Sequence, residues 1–512
     1  MIQSLRLIFL FILVLPPSCL VHGQLEGDQL FGIDQVLKVD VNFYDDNFWT
    51  LLMDEYNGDQ NYIPAVITIA AQADTTTLDS IGIRLKGNSS MMHPGDKKPF
   101  KIDFNRYITG QNYDLLKKLN FNNGFKDPTF VREKIFYDAC ESAGVLAPRA
   151  TFAEVSFNGA PWGFYTVVEQ IDDQFLDRSI GDDGGMLFKA GSNFDGTDGE
   201  ASLVYLGPDQ TLYENAYEPK ENVTDDWSAF INLIEFINNA SDEDFENQLG
   251  LHLDLPAYLR SAAFDNLFAN LDSYTLSARN YYLYQNLTIG LWQWIKWDAN
   301  EAFGSYAFGV PGNMATLPLA FDGGNQDRPL LQRILSNDNL KAAYDMEMCA
   351  LRELVFNSEF LVPRLNALKL LIQDAVYADV NKMFSNADFE NNFNANLGGG
   401  GPGGGGGGTL YGLIPFIETR AGFAETNLDC SLDADEQEQR HEHWLFPNPA
   451  ETSISISGVL ATDRLRIWNA SGELIHECSG SERIEISDWP SGLYFVQIQS
   501  KNSQETLRFL KA

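Results

Sequence analysis

Apolar and polar residues alternate along several short stretches of the first 170 positions, and these stretches predict β-strands. They are VLKVDVNF, YIPAVITIA, IGIRLKGNSS and KKPFKIDFNR, which begin at residues 36, 62, 81 and 97. In the last of them Lys101 falls on the face opposite to Phe100 and Ile102. Two further strands are expected to form a hairpin around Asn158–Gly159, because Asn-Gly favours the tight turns of hairpins.

Helical spacing of apolar residues separates these strands and dominates the chain after residue 225. Residues 45–56 predict an amphipathic helix capped by Asp45 or Asp46. Residues 128–145 predict a second helix that ends near Gly144. Two longer regions have the same period and predict several packed helices, at 225–269 and 328–380.

A segment rich in aromatic residues interrupts the helical region and predicts a β-hairpin. Tyr281–Gln285 and Leu291–Trp297 have the composition of strands, and Asn286–Gly290 supplies a turn between them. A hairpin folds its two outer ends to one edge, so the residues that flank this one should lie close together.

The residues that flank this hairpin carry oxygen atoms. Asn280 precedes the first strand, Asp298 follows the second, and Asp272 lies in the loop that enters the same edge. Carboxylate and amide oxygens suit a hard cation such as Mg²⁺. Phosphoryl transfer uses one Asp to orient the acceptor hydroxyl, and an Asn with a second Asp to hold metal on the nucleotide phosphates. The same residue types also cap turns and end strands, and the spacing alone leaves that alternative open.

A second candidate site follows the strand at residues 81–86. Gly87 permits a tight turn, and the small polar residues after it offer amides and hydroxyls to an anion. Lys101 is placed to point from a rigid strand toward a phosphate. The alternative is that the basic cluster in this region only solvates a sheet face; the cluster consists of Lys86, Lys97, Lys98 and Lys101.

The net charge of the chain limits the classes of partner that it is expected to bind. A net charge of −36 over 512 residues argues against general nucleic-acid binding, which needs a basic surface, and disfavours docking on anionic lipid. The content of 44% hydrophobic and 12% aromatic residues is typical of globular chains. The glycine-rich run at 398–408 is of low complexity and lacks the Lys-Ser/Thr of a nucleotide-binding glycine loop.

The N-terminus predicts an exported protein. Arg6 precedes the apolar run Leu7–Leu15, which is typical of a signal peptide, here residues 1–23. That run is too short to span a bilayer, and no other stretch of the sequence predicts a transmembrane segment. The remaining cysteines are widely spaced and do not form a disulfide scaffold. The sequence leaves room for one or two bridges without assigning their pairing, and Cys140 is expected to be a free buried thiol in a helix.

Six motifs in order resemble the CotH kinase family of atypical protein kinases. They lie between residues 36 and 430 and are GIRLKGNSS, KKPFKIDFNR, LNFNNGFKDPTFVREK, GFYTVVEQID, NLDSYTLSARNYYLY and IKWDANEAFG. The resemblance implies an α+β fold, in which a two-lobed domain similar to atypical protein kinases covers residues 36–430. The glycine-rich run would be an insert in this domain. An acidic linker at 431–443 follows, and short strands predict a small β-sandwich at 444–512.

The resemblance implies a role for each residue around the hairpin. Asp272 would be the catalytic residue that acts on the acceptor hydroxyl, and Asn280 and Asp298 would hold the metal. The sequence departs from the pattern in two places. Asp272 and Asn280 are eight positions apart, a longer spacing than in ordinary protein kinases, and Asn300 stands where many members of the family have Asp.

The resemblance also assigns nucleotide-binding residues. Lys101 would contact the nucleotide phosphates, with Lys98 as the alternative lysine, and Glu133 would form the supporting ion pair. The place of a glycine-rich loop would be taken by Gly87, Asn88 and Ser89.

The C-terminal strands resemble the type A sorting domain of the type IX secretion system of Bacteroidetes. The resemblance rests on LFPNPA at 445–450, LRIWNASGE at 465–473 and the ending WPSGLYFVQIQSKNSQETLRFLK. It implies export through the periplasm by that secretion machinery, a secreted or cell-surface location, and normal removal of the domain.

These features favour a secreted protein kinase that transfers the γ-phosphoryl group of ATP to Ser or Thr hydroxyls of exported or surface proteins. Its cofactors would be ATP and Mg²⁺, with Mn²⁺ or Ca²⁺ as alternative metals. A non-catalytic surface or envelope protein that keeps a kinase-like fold for binding or assembly is the second hypothesis. A third is a calcium-dependent adhesin built on the acidic loop 191–202, although this loop lacks the full ligand series of an EF-hand.

Overall fold

The chain forms two compact units, Met1–Leu428 and Asp429–Ala512. The computed structural model describes residues 26–72, 74–191, 200–398, 409–430, 445–446, 450, 452–456, 463–469, 474–480, 483–490, 492–499 and 504–511. The predicted signal peptide and acidic linker lie outside the described residues, as do residues 192–199 of the acidic loop and 399–408 of the glycine-rich run.

Seven strands of the first unit form a closed barrel. Parallel pairing between the first and sixth strands, with Val36 opposite Phe152, closes it, and the other neighbours are antiparallel. The strands are β1 Val36–Phe43, β2 Ile63–Ala71, β3 Asp74–Leu85, β4 Phe100–Asp103, β5 Lys118–Asn122, β6 Ala150–Phe157 and β7 Ala160–Glu169, in the order β1-β2-β3-β4-β5-β7-β6. The strands predicted in this region are therefore confirmed.

Alternate residues of the barrel strands fill its interior. Ile81, Ile83 and Leu85 of β3 are buried there among other apolar side chains. Because successive side chains of a strand point to opposite faces, the residues between them face outward. Arg84 pairs with Lys101 across β3 and β4, which places both side chains on the outer face of the barrel.

Two short helices accompany the first strands, α1 Asp28–Phe31 and α2 Phe48–Asn57. The prediction of a helix at 45–56 is confirmed, but the predicted cap is wrong. Helix α2 starts after Asn47, which makes no side-chain cap. The Asp45 carboxylate instead accepts a hydrogen bond from the Asn47 N–H at 2.7 Å, which forms a turn ahead of the helix.

Helix α3, Arg132–Ser142, lies between β5 and β6 in the chain and is fixed at its N-terminus. The Asp127 carboxylate accepts hydrogen bonds from the backbone N–H groups of Thr129 and Arg132, both at 2.9 Å. The buried Arg132 side chain donates to Asn392 Oδ1 at 2.9 Å and to the Tyr411 carbonyl at 2.6 Å. Cys140 is buried in this helix as a free thiol, as predicted.

The rest of the first unit is mostly helical and has its own apolar core. Its strands form a four-stranded sheet in the order β11-β10-β8-β9. The elements are α4 Asp173–Ile180, β8 Leu187–Ala190, β9 Tyr217–Glu221, α5 Ser228–Asn239, α6 Asp242–Gln248, α7 Leu255–Leu267, β10 Tyr281–Asn286, β11 Leu291–Lys296, α8 Pro329–Ser336, α9 Asp338–Leu354, α10 Ser358–Ala378, α11 Asn386–Asn392 and α12 Leu413–Asn427. Cys349 in α9 is disulfide-bonded.

The second unit contains two small sheets around an apolar core that includes Ile454, Ile467 and Val496. One sheet has the order β12-β13-β16 and the other the order β15-β14-β17-β18. The strands are β12 Leu445–Phe446, β13 Ser453–Ile456, β14 Arg464–Asn469, β15 Leu474–Ser479, β16 Arg483–Glu485, β17 Gly492–Gln499 and β18 Gln504–Lys511. Across the described part of both units, no helix has the length and apolar character required to cross a bilayer.

Candidate active site

A polar cleft of about 250 Å³ lies between the outer face of the barrel and the four-stranded sheet. Most residues proposed from the sequence line this cleft. They are Gly87, Asn88, Ser89, Lys101, Glu133, Asp272, Asn280 and Asp298. The loop after β3, strand β4 and helix α3 supply the first five of these residues, and the segment around the β10–β11 hairpin supplies the other three.

The β10–β11 hairpin brings its flanking residues together, as the sequence predicts. Tyr281 pairs with Lys296, and the Trp297 N–H donates to the Asn280 carbonyl at 3.2 Å, which extends the pairing beyond the strands. The Asn280 side-chain amide donates to Asp272 Oδ2 at 3.0 Å and to the Asp272 carbonyl at 2.9 Å. The amide therefore fixes the orientation of the Asp272 carboxylate.

Helix α3 presents Glu133 to the same region. Its carboxylate accepts hydrogen bonds from Asn122 Nδ2 at 2.8 Å and from the Tyr137 hydroxyl at 3.2 Å. The Tyr137 hydroxyl in turn accepts a hydrogen bond from the Asp298 backbone N–H at 2.9 Å. Burial, and then the charge of Asp298, raise the pKa of Glu133 to about 7.

Lys86 is the lysine most closely associated with Glu133 and Asp298. Burial lowers its pKa to about 8, while the charges of Asp298 and Glu133 favour its protonated form. Its Nζ lies 3.3 Å from Asn120 Oδ1 and 5.5 Å from the centre of the Trp297 ring. Sequence reasoning placed Lys86 in a basic cluster and gave it no specific role. The sequence did contain a signal that Lys86 lies in the cleft, because Lys86 continues the outward-facing alternation of β3 and directly precedes Gly87.

The two lysines proposed from the sequence have different environments. Lys101 lines the cleft, and burial together with nearby cations, Lys118 first among them, holds its pKa well below the ordinary value. Lys98 is not among the residues that line the cleft. Its Nζ donates to the backbone carbonyls of Met91 at 2.8 Å and His93 at 2.5 Å, so it holds the loop that follows β3.

The loop after β3 turns at Gly87 and continues into a short 3₁₀ helix, Ser89–Met92. Gly87 has φ +95°, a conformation that glycine adopts without a steric penalty. A Cβ at this position would overlap Ser90 Oγ. The Tyr56 hydroxyl donates to the Gly87 carbonyl at 2.7 Å, which ties the loop to α2.

Acidic side chains are concentrated at the hairpin end of the cleft. Burial raises the pKa of Asp272, and a hydrogen bond with Ser277 partly opposes this effect. Burial and the charge of Asp272 raise the pKa of Glu301 to about 7, although Lys126 Nζ lies 3.0 Å from Glu301 Oε1. Within the described ranges, no three His, Cys, Asp or Glu side chains are arranged to hold a metal ion. A metal at Asn280 and Asp298 would therefore need oxygen ligands from water or phosphate, which Mg²⁺ commonly retains.

The presence of Asn300, at a position where the resemblance predicts Asp, has a structural explanation. The Asn300 side-chain amide donates to the Phe125 carbonyl at 3.0 Å, a bond that an ionised Asp is unable to donate. The adjacent Lys126–Glu301 ion pair joins the same two segments. These contacts connect the loop before α3 to the segment that carries Asp298.

Comparisons with known proteins identify two families. The model of the CotH kinase protein family matches residues 83–397, and the model of a secretion system C-terminal sorting domain matches residues 444–512. Inner spore coat protein H of Bacillus subtilis (strain 168) is 26% identical over 328 residues, which are 63% of this chain and 84% of that protein.

Two relatives come from Rhizopus delemar. Invasin CotH3 is 23% identical over 355 residues, 65% of this chain and 57% of the relative. Invasin CotH2 is 22% identical over 254 residues, 48% of this chain and 42% of the relative. The chain thus spans about half the length of these two proteins.

Proposed function

The chain belongs to the CotH kinase protein family and carries a secretion sorting domain, and from this we propose that it is a secreted atypical protein kinase. The sorting domain indicates export to the cell surface or secretion. The reaction would transfer the γ-phosphoryl group of ATP to Ser or Thr hydroxyls of exported or surface proteins. The observation that carries this proposal is the convergence of Lys86, Glu133, Asp272, Asn280 and Asp298 on one polar cleft.

The two halves of the first unit fit a two-lobed, kinase-like arrangement. The barrel has one apolar core, and the helical part with the four-stranded sheet has another. The cleft lies between the outer face of the barrel and that sheet, where a nucleotide would contact both halves. In this proposal the barrel corresponds to the smaller lobe, and α3 contributes Glu133 as the supporting acidic residue.

The side chains fit Mg·ATP as the cofactor. The charge of Asp298 raises the pKa of Glu133, and the charge of Asp272 raises that of Glu301; a bound cation would offset this repulsion. Asn280 and Asp298 would hold the metal, and Lys86 would contact the phosphates, with Lys101 further along the same wall. When bound, ATP supplies the phosphoryl group. Asp272, oriented by Asn280, would accept the proton of the acceptor hydroxyl.

Thermal unfolding of the full chain tests the nucleotide site. ATP with Mg²⁺, Mn²⁺ or Ca²⁺ should stabilise the protein by about 2.7 kcal/mol at a hundred times the dissociation constant. Asp298→Asn should abolish this effect. Asp345→Asn on the surface of α9 is the control, because it also removes one negative charge but lies outside the cleft. Stabilisation that survives in Asp298→Asn would contradict the metal assignment.

Phosphoryl transfer is tested separately with labelled ATP and a panel of peptides that contain Ser or Thr. Asp272→Asn should keep the metal-dependent stabilisation and lose transfer, because the side chain acts on the acceptor and not on the nucleotide. Nucleotide binding without any transfer, to peptides or to the chain itself, would favour the non-catalytic surface protein instead.

A further inference from the structure

The cleft contains a second set of cations, which we call the inner cation group: Arg84, Lys101, Lys189 and Lys220. Arg84 and Lys101 project from the outer face of the barrel. Lys189 and Lys220 belong to β8 and β9 of the four-stranded sheet, so the group draws on both walls of the cleft. Such a group is unusual in a chain with a net charge of −36.

These cations are close enough to repel one another. Burial is the main cause of the lowered pKa of Lys101, and Lys118, Arg84 and Lys220 lower it further. Burial also lowers the pKa of Lys220, and Lys189 and Arg84 add to the effect, although Glu218 opposes it. The positive charges on the two walls therefore act on each other across the cleft.

The inner cation group has few anionic partners. In the part of the chain that the structure describes, Glu218 forms an ion pair with Lys220, and neither Lys101 nor Lys189 has an ion pair or a side-chain hydrogen bond. Arg84 Nη1 donates to Gln60 Oε1 at 2.9 Å, but its buried Nε has no acceptor among the same residues. A buried donor without an acceptor is costly, and the two lysines without a described partner on the walls of the same cleft point to an anionic ligand.

We propose that the inner cation group is a phosphate-binding subsite that works without a divalent metal, and that its ligand is a chain of two or more phosphates. Lysine ammonium groups act as compact point charges for phosphate, and the Arg84 guanidinium adds a further positive charge with donors of fixed geometry. Because the cations come from both walls, a bound phosphate chain would replace repulsion across the cleft with attraction. The proposal rests on the proposed function only for the source of the ligand, which is either the donor nucleotide or a free oligophosphate.

The test uses the full chain in EDTA, with inorganic tripolyphosphate as the probe and binding followed by calorimetry and thermal unfolding. Tripolyphosphate should bind and raise the melting temperature, with a strong decrease in affinity as salt rises. Lys101→Met and Lys189→Met should each weaken binding at least tenfold. The control is Lys38→Met, which removes the same charge from a side chain that is 75% exposed and lies outside the cleft.

The melting temperature without ligand shows that the variants are folded. Removal of the charge at Lys101 should leave the melting temperature nearly unchanged. Among the described residues Lys101 has no ion pair or side-chain hydrogen bond, and relief of repulsion from neighbouring cations offsets the lost attraction to Asp172 and Glu221. Absence of tripolyphosphate binding in the wild type, or equal binding in folded Lys101→Met and in wild type, would overturn the subsite.

The source of the phosphate is decided by competition. ATP in EDTA that displaces tripolyphosphate would assign the subsite to the phosphate chain of the nucleotide. Simultaneous binding of tripolyphosphate and Mg·ATP would assign it to a separate oligophosphate. Both results support the subsite. Metal-free binding of tripolyphosphate in a protein that never binds Mg·ATP would leave the subsite standing and refute the nucleotide site, so the two proposals fail separately.

Discussion

Asn280 precedes and Asp298 follows the β10–β11 hairpin, so both lie at its open end, and both adopt the left-handed backbone conformation, with φ of +61° and +55°. Residues with side chains seldom adopt this conformation, and each instance costs about 1–3 kcal/mol unless surrounding structure holds it. Asn and Asp tolerate it better than most residues. Both residues line the cleft where the proposed metal would lie.

Substitutions at Asn280 should separate backbone strain from side-chain function. Asn280→Gly accepts the left-handed conformation freely, whereas Asn280→Ala should destabilise the fold by about 1–2 kcal/mol more. Both variants lose the side-chain oxygen that is proposed to hold the metal, so both should lose metal-dependent nucleotide binding. They also lose the amide that orients Asp272. Denaturant unfolding and calorimetry measure the two effects. Equal stability of the two variants would show that the backbone conformation is not strained.

The charge of Glu133 should make stability depend on pH. Its pKa of about 7 in the folded protein exceeds the ordinary value of 4.5, so the folded state holds the proton more tightly than the unfolded chain. The resulting stability is present below pH 4.5 and is lost as pH rises to about 7, by at most about 3 kcal/mol.

Glu133→Gln carries no such charge and should be more stable than wild type at pH 8 but not at pH 4.5. Gln can still accept a hydrogen bond from Asn122, which limits other losses. Unfolding free energies at the two pH values provide the comparison, with Glu353→Gln on the surface as the control. A difference from wild type that is the same at both pH values would argue against the raised pKa.

Lys97 and Asp379 form a buried ion pair, and their contributions to the free energy of unfolding should be coupled. The paired atoms are 2.6 Å apart, and the side chains are 0% and 1% exposed. Asp379→Ala should cost about 3–5 kcal/mol, because it leaves Lys97 buried without its partner. Lys97→Met combined with Asp379→Leu should cost less than the sum of the single changes. A double-mutant cycle by denaturant unfolding checks this, and strictly additive losses would contradict it.

Gly87→Ala should disturb the loop that borders the cleft. It places a Cβ at φ +95° and in overlap with Ser90 Oγ, and we expect a loss of about 2 kcal/mol and weaker nucleotide binding. Gly110→Ala is a matched control, since Gly110 also has positive φ, +81°, but open space at its Cβ. Similar losses in both variants would mean that the contact with Ser90 is unimportant.

Local sequence patterns predicted much of the site. The hairpin was expected at Tyr281–Gln285 and Leu291–Trp297, and the strands are Tyr281–Asn286 and Leu291–Lys296. This prediction succeeded because the strand alternation and the turn between the strands are encoded within about twenty residues. The proximity of Asp272, Asn280 and Asp298 followed from the same hairpin.

Features that depend on distant parts of the chain were not predictable in this way. The proposed phosphate-binding role of Lys86 depends on its proximity to Glu133 and Asp298, which are remote in sequence. Its lowered pKa arises from burial that no local pattern shows. The pairing of β1 with β6 joins segments more than a hundred residues apart. The short strands β5 and β9 were also not among the strands expected from the sequence.

The closed barrel has a consequence for association with other chains. An open sheet would present two rows of unpaired backbone groups, onto which a strand of another molecule can add, whereas the β1–β6 pairing removes both rows. In the four-stranded sheet, a bridge from Leu253 to Trp292 partly covers β11, and β9 contains Pro219, which lacks an N–H to donate. The described sheets of the first unit therefore resist edge-to-edge aggregation, a property of value to a protein that works outside the cell.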